Sequence, residues 1–262
     1  MELDQQDASA GVALLPKPLS TGRKATDDTR CPVWVDHPAM VHRWGQLTFL
    51  HWPYDPETIQ RLLPPGLQVD TFCGRAWIGL IPFQLQVFTG GGRLGTAFPE
   101  ANVRTYVVGP DGTPGIWFLS LDASRFDAVI AAHATHSLPY HWARMHATAD
   151  ETEALYTSAR IRRRGHDVTL HARIGIGRPI PPEQLTDLDR FTTARFCFYT
   201  RRGGRLMRAW AEHDPWRLRQ ASVVELSETL VAALGLPPPD RAPLARYAEG
   251  VDVRIGRLHA AH

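Results

Sequence analysis

From Asn102 the chain reads Asn-Val-Arg-Thr-Tyr-Val-Val, turns through Gly-Pro-Asp-Gly, and continues as Gly-Ile-Trp-Phe-Leu-Ser-Leu-Asp to Asp122. Two apolar, β-branched runs bounded by turn residues read as a β-hairpin buried on at least one face. Polar groups sit inside this apolar setting: Arg104, Tyr106, Ser120 and Asp122, followed by Tyr140 and His141 in Leu-Pro-Tyr-His-Trp-Ala. Such groups are costly to bury without partners. Apolar strands carrying this many polar side chains point to a sheet that lines a polar pocket.

The same grammar recurs along the chain. Leu47, Phe49 and His51 alternate with Thr48, Leu50 and Trp52, as two faces of a strand would. Asp55-Pro56-Glu57 opens a short helix with an N-cap acid and Pro at the first turn. Leu67 to Phe72 and Arg75 to Phe88 read as a hairpin about Cys73-Gly74. Ser124 to Ala134 has helical spacing, with Phe126, Val129, Ile130 and His133 on one face. Hairpins are expected about residues 164–166 and Gly203-Gly204, a short helix over Pro182 to Asp189, and a last strand over Val251 to Leu258. Ser222-Val-Val-Glu225 reads as a capping box opening a helix that Gly235 closes. Roughly eleven strands and three or four short helices give an α+β, mostly antiparallel β fold. Residues 1 to 32 are polar with little periodicity and read as a disordered tail, leaving 33–262 as one domain.

Composition removes several functions. The 29 Lys+Arg against 27 Asp+Glu leave no global field for nucleic acid. The basic runs Arg160–Arg164 and Arg201–Arg208 lie at hairpin tips without interleaved aromatics, so no nucleic-acid partner is expected. Three widely spaced cysteines without a CxxC give neither a disulfide framework nor a zinc knuckle. No apolar run approaches ~20 residues and no leader pattern opens the chain, so a soluble cytoplasmic protein without a membrane partner is expected. A homo-oligomer is compatible with the sequence. The triple glycine at 90–92 begins a loop to Pro99, either a pocket cover or an ordinary connection. It has no following helix to complete a phosphate cradle.

Among chemical candidates, His133 and His136 stand three apart on the expected helix, but no carboxylate-rich partner strand is evident, so no metal is expected. His166 and His171, five apart on extended chain, face opposite sides. Ser120 and Asp122 share a strand face without a Gly-x-Ser-x-Gly elbow, which reads as a hydrogen-bonding pair rather than a nucleophile. Arg104 is more informative. A guanidinium inside an apolar strand needs an anion: Glu100 or Asp122 from the chain, or an acidic ligand. Asn102 and Tyr106 share its face by parity.

Several blocks carry a resemblance: Leu-Thr-Phe-Leu-His-Trp-Pro-Tyr-Asp-Pro, Leu-Leu-Pro-Pro-Gly-Leu, Gly-Arg-Ala-Trp-Ile-Gly-Leu-Ile-Pro-Phe, Asn-Val-Arg-Thr-Tyr-Val, Gly-Ile-Trp-Phe-Leu-Ser-Leu-Asp, Leu-Pro-Tyr-His-Trp-Ala and Gly-Val-Asp-Val-Arg-Ile. In this order, over about residues 38 to 256, the chain resembles the YqjF-like proteins of unknown function, a branch of the acetoacetate decarboxylase superfamily. That resemblance implies a closed, cone-like antiparallel β-barrel with a buried pocket and a few peripheral helices. Decarboxylases of that superfamily form a Schiff base through a lysine in Gly-aromatic-Pro-Lys-Lys-x-Ala. Here the matching segment is Ser137-Leu-Pro-Tyr-His-Trp-Ala143, so Tyr140 and His141 stand where the lysines would be, and the chain's two lysines are Lys17 and Lys24. The superfamily's Asn-Glu pair matches Asn102-Val103, which removes that glutamate. The expectation is a small-molecule pocket for a carbonyl or carboxylate compound, with no cofactor. His141 would serve as acid/base and Tyr140 as donor to an enolate-like oxygen. Arg104, Asn102, Tyr106, Asp122 and Glu100 would bind substrate. A non-catalytic carrier or sensor on the same scaffold is the competing expectation.

Overall fold

The computed structural model describes residues 29–89, 93–95, 97–130, 137–161 and 167–262. The expected tail (1–28 of it), His133, His136, His166 and the triple glycine lie outside the described residues. Fourteen strands are described, three of them only two residues long, with few helices.

Strand β1 (Met40–Tyr54) leads into helix α1 (Pro56–Gln60), whose Asp55 side chain caps the Thr58 amide as the sequence predicts. Then follow β2 (Gln68–Val69), β3 (Ala76–Thr89), β4 (Arg93–Leu94), β5 (Phe98–Val108) and β6 (Pro114–Ala123). Residues 126–130 are helical. Strands β7 (Tyr140–Ala149), β8 (Glu153–Arg160) and β9 (Thr169–Pro179) precede a 3-10 turn at Pro182–Gln184 and helix α2 (Asp187–Thr193). The chain ends with β10 (Cys197–Arg202), β11 (Arg205–His213), β12 (Leu218–Glu228), β13 (Leu244–Ile255) and β14 (His259–Ala260).

Neighbouring strands run β6-β7-β8-β9-β12-β13-β1-β3-β5, and β5 in turn pairs β6. Strands β10 and β11 bridge β6 to β13 on the other side. Pairing is antiparallel except that β6 runs parallel to both β7 and β10. The hairpin β5–β6 forms as the sequence indicates, and Gly203 and Gly204 turn β10 into β11 at positive φ.

Because side chains alternate along a strand, the shared strands β1, β3 and β5 feed two interiors. On one side Leu50, Trp52, Ile78, Leu80, Ala101 and Val103 pack with Tyr156, Leu170 and Ile174. On the other, Leu47, Phe49, Ile81, Phe83 and Leu85 pack with Phe98 and Val129.

Three local readings need correction. The expected helix at 222–235 is mostly strand β12, followed by a 3-10 turn at Ala232–Leu234. A register shift between Val223 and Glu225 explains the misreading. The bulge inserts Val224, so half-buried Val223 and Leu226 fall three apart and mimic helical spacing. Residues 67–72 hold only β2, which pairs with β5; Cys73-Gly74 closes a single bridge from Phe72 to Arg75. At 126–130, Val129 alone of the expected apolar face is buried, while Phe126 and Ile130 are exposed. Phe126 packs instead on Trp142. No helix among the described residues is long and apolar enough to cross a membrane.

The parallel contact of β6 with β10 depends on Gly115. A Cβ there would lie 2.7 Å from the Tyr199 ring and 2.9 Å from the Cys197 carbonyl oxygen. Gly115→Ala should therefore destabilise the fold by ~1–3 kcal/mol. Urea titration should show a lower midpoint with unchanged slope.

Candidate functional site

Strand β5 is buried along nearly its whole length. Its odd residues Ala101 and Val103 enter the first core, so its even residues Glu100, Asn102 and Arg104 are turned to the other side. There they line a cavity of about 400 Å³ whose remaining wall is largely apolar: Trp44, Phe83, Phe118, Leu121, Phe198 and Trp216 contribute to it. An apolar cavity with a few converging polar groups is the usual form of a small-molecule site.

Arg104 is 7% exposed. Its guanidinium lies over the rings of Phe49 (5.8 Å) and Tyr106 (5.7 Å) and donates from Nη2 to the Thr192 carbonyl at 3.2 Å. Its Nε has no hydrogen-bond partner, and none of the ion pairs among the described residues includes it. Both internal anions expected for it are otherwise engaged. Asp122 pairs with Arg160 at 2.7 Å and accepts from Ser158 at 3.0 Å, and Arg160 also reaches Ser120. Glu100 accepts from the Tyr140 hydroxyl at 2.9 Å.

Thr192 belongs to α2, whose start is fixed by a capping box between Thr186 and Asp189 and by the Asp189–Arg246 ion pair at 2.8 Å. The helix's last turn leaves carbonyls without helical partners. The Thr192 carbonyl serves both Arg104 and the Tyr106 hydroxyl, which donates to it at 2.8 Å. With that proton committed, the Tyr106 oxygen accepts from His51 Nε2 at 2.6 Å, which fixes the His51 tautomer. Burial, then the charges of Arg104 and Arg246, hold His51 well below the usual imidazole range and therefore neutral.

Glu100 is 3% exposed. Burial raises its pKa to about 8; the Tyr140 hydrogen bond opposes this and the Asp122 charge adds to it. Tyr140 is held well above the usual phenol range by burial and by Glu100. His213 also faces the cavity. Its pKa is lowered to about 4, chiefly by burial, against the Asp214 carbonyl and with help from Arg104. A neutral His213 whose Nδ1 donates to the Asp214 carbonyl at 2.7 Å keeps Nε2 as an acceptor. Asn102 is 5% exposed with its Oδ1 unpartnered.

Of the residues singled out from sequence, the cavity gathers Glu100, Asn102, Arg104 and Tyr140. Three are not on its wall. His141 follows Tyr140 on β7 and so projects to the opposite, exposed side. Asp122 is turned away with Ser120 into the Arg160 network. Tyr106 shares the parity of Arg104 but is packed beneath it against Phe191. His141 as the cavity's acid/base and Asp122 as a substrate ligand are thus corrected by strand parity. Sequence reading also missed Arg195 and His213. Arg195, 8% exposed and bound to Asp70 at 2.7 Å, carries the same signal as Arg104, a guanidinium entering an apolar run. A glutamate does face the cavity, at Glu100 rather than at the position of Val103. Among the described residues no cluster of three or more His, Cys, Asp or Glu could hold a metal.

Folded Glu100 keeps its proton up to about pH 8, whereas the unfolded chain loses it near 4.5. The folded state therefore binds more protons in that window, and this stability is complete below about 4.5 and lost as pH rises to about 8. The slope is on the order of 1 kcal/mol per pH unit. His213 acts oppositely, its contribution lost as pH falls from 6.5 through about 4. Glu100→Gln should flatten the alkaline decline in denaturant midpoint while leaving the acid limb. Identical profiles for wild type and variant would contradict a buried neutral Glu100.

The chain is 34% identical over 229 residues to the uncharacterized protein YqjF of Bacillus subtilis (strain 168), covering 84% of this chain and 90% of that one. Its fold is similar to an acetoacetate decarboxylase-like enzyme from Sphingomonas wittichii RW1 (TM-score 0.58, 14% identity, 86% of this chain and 94% of that one). It is also similar to the acetoacetate decarboxylase of Legionella pneumophila (0.57, 13%, 93% and 99%). The enduracididine biosynthesis enzyme MppR, in complex with pyruvate, is similar to the same degree (0.57, 15%, 86% and 91%). Residues 41–252 match the model of DUF2071, an uncharacterized conserved protein family, and to that family the chain belongs.

Proposed function

We propose that the sheet closes as a cone-like barrel around this cavity, and that the cavity binds a small organic carboxylate or carbonyl compound and acts on it by acid/base chemistry without an imine. The return of β5 to β6 supports the closed form. The observation that carries the binding reading is Arg104, a buried guanidinium with an unpartnered Nε and no carboxylate partner, on the wall of an apolar cavity. Leaving it so costs ~1–3 kcal/mol, which a ligand carboxylate would recover. Pyruvate, bound in one MppR structure, is such a molecule, a carboxylate beside a carbonyl.

The chemical reading rests on Glu100. A carboxyl that titrates near 8 gives and takes protons close to neutrality. With Tyr140 beside it, it would protonate a substrate carbonyl oxygen or exchange a proton on the neighbouring carbon. The amine of the decarboxylase reaction has no counterpart here: Tyr140 occupies one lysine position, His141 faces outward at the other, and no lysine follows Lys24. The mostly apolar wall favours a second reading, a non-catalytic carrier of the same ligands.

Arg104→Ala should weaken carboxylate binding by about 10- to 100-fold and Arg104→Lys by less, measured by calorimetry. Equal affinity in all three proteins would remove the clamp. Among pyruvate, levulinate and 7-oxooctanoate in D2O, the keto acid whose carbonyl reaches Glu100 should exchange the protons beside that carbonyl faster with the wild type than with Glu100→Gln; binding of all three without exchange would select the carrier. Borohydride with pyruvate should leave residues 25–262 without added mass.

A further inference from the structure

Glu100, Asn102 and Arg104 form an evenly spaced row, each two residues from the next on one face of β5. At ~3.3 Å per residue, the Cα atoms of Glu100 and Arg104 lie about 13 Å apart. Each side chain has capacity left: Arg104 Nε and Asn102 Oδ1 are unpartnered, and Glu100 meets Tyr140 through Oε2. The neighbouring strands flank this row with apolar side chains in register. Phe83 stands beside Glu100, Ile81 and Leu121 on either side of Asn102, and Phe118 beside Arg104. On the far side of Arg104, β3 supplies only Gly79. The result is a polar stripe one strand wide between apolar borders.

A compact ligand on Arg104 would leave the far end of this stripe unmet. We infer that the cavity accepts a linear carboxylic acid lying along β5, its carboxylate at Arg104 and a hydroxyl or carbonyl oxygen near its other end at Glu100, with Asn102 free to accept from a mid-chain hydroxyl. An extended backbone covers ~3.3–3.6 Å in three bonds, so a span of roughly 8–13 Å corresponds to about seven to ten carbons. The apolar borders take the methylenes, and the oxygens follow the stripe. This inference rests on the carboxylate reading of Arg104 and adds to it a length and a second polar end.

Calorimetric titration of octanoate, 8-hydroxyoctanoate, 2-hydroxyoctanoate and butyrate separates the two. The expected result is that octanoate binds more tightly than butyrate. The 8-hydroxyl should add a roughly 3- to 10-fold gain, the 2-hydroxyl none, and the 8-hydroxyl gain should vanish in Glu100→Ala, read as the ratio of the two affinities. If octanoate binds in an Arg104-dependent way but the 8-hydroxyl adds nothing, or adds the same in Glu100→Ala, the extended mode is wrong and the clamp stands. If none of the acids binds, or binding ignores Arg104→Ala, the clamp itself fails and this inference falls with it.

Discussion

The site depends on how one guanidinium is buried. Arg104 has no carboxylate against it, yet it is not abandoned: two aromatic faces and the Thr192 carbonyl partly offset its desolvation. Those partners hold it in place without neutralising it. The carbonyl is available because α2 ends there, and α2 is held by its capping box and by Arg246. Residues far apart in sequence thus converge on a single charge. Had Asp122 been its partner, the site would be electrostatically complete; instead Asp122 is spent on Arg160.

Much of this was legible beforehand, because β5 obeys the simplest rule of extended chain. Parity alone groups Glu100, Asn102 and Arg104, and an arginine amid Val, Thr and Tyr announces a buried charge. The same rule, applied to β7, would have excluded His141 once Tyr140 was placed inward. What parity cannot supply is depth along the strand. Tyr106 is on the right face but lies below the cavity floor, against Phe191. Nor can it supply contacts between strands distant in sequence, which is why His213 and Trp216 escaped notice. The misread strand β12 shows the opposite limit: one inserted residue converts a period of two into an apparent period of three to four.

Tyr140 sets the polarity of one end of the cavity. It stands at a position expected to carry a catalytic amine and forms a phenol–carboxyl pair with Glu100. In an apolar cavity a neutral acid hydrogen-bonded to a neutral phenol is cheaper to bury than an ammonium beside a carboxylate. The cavity thus keeps its polar groups at this end as a neutral pair.

The buried and half-buried ion pairs described here, Arg160–Asp122, Arg195–Asp70 and Arg246–Asp189, all use guanidinium rather than ammonium. Because no lysine follows Lys24, residues 25–262 offer a carbonyl compound no side-chain amine with which to condense.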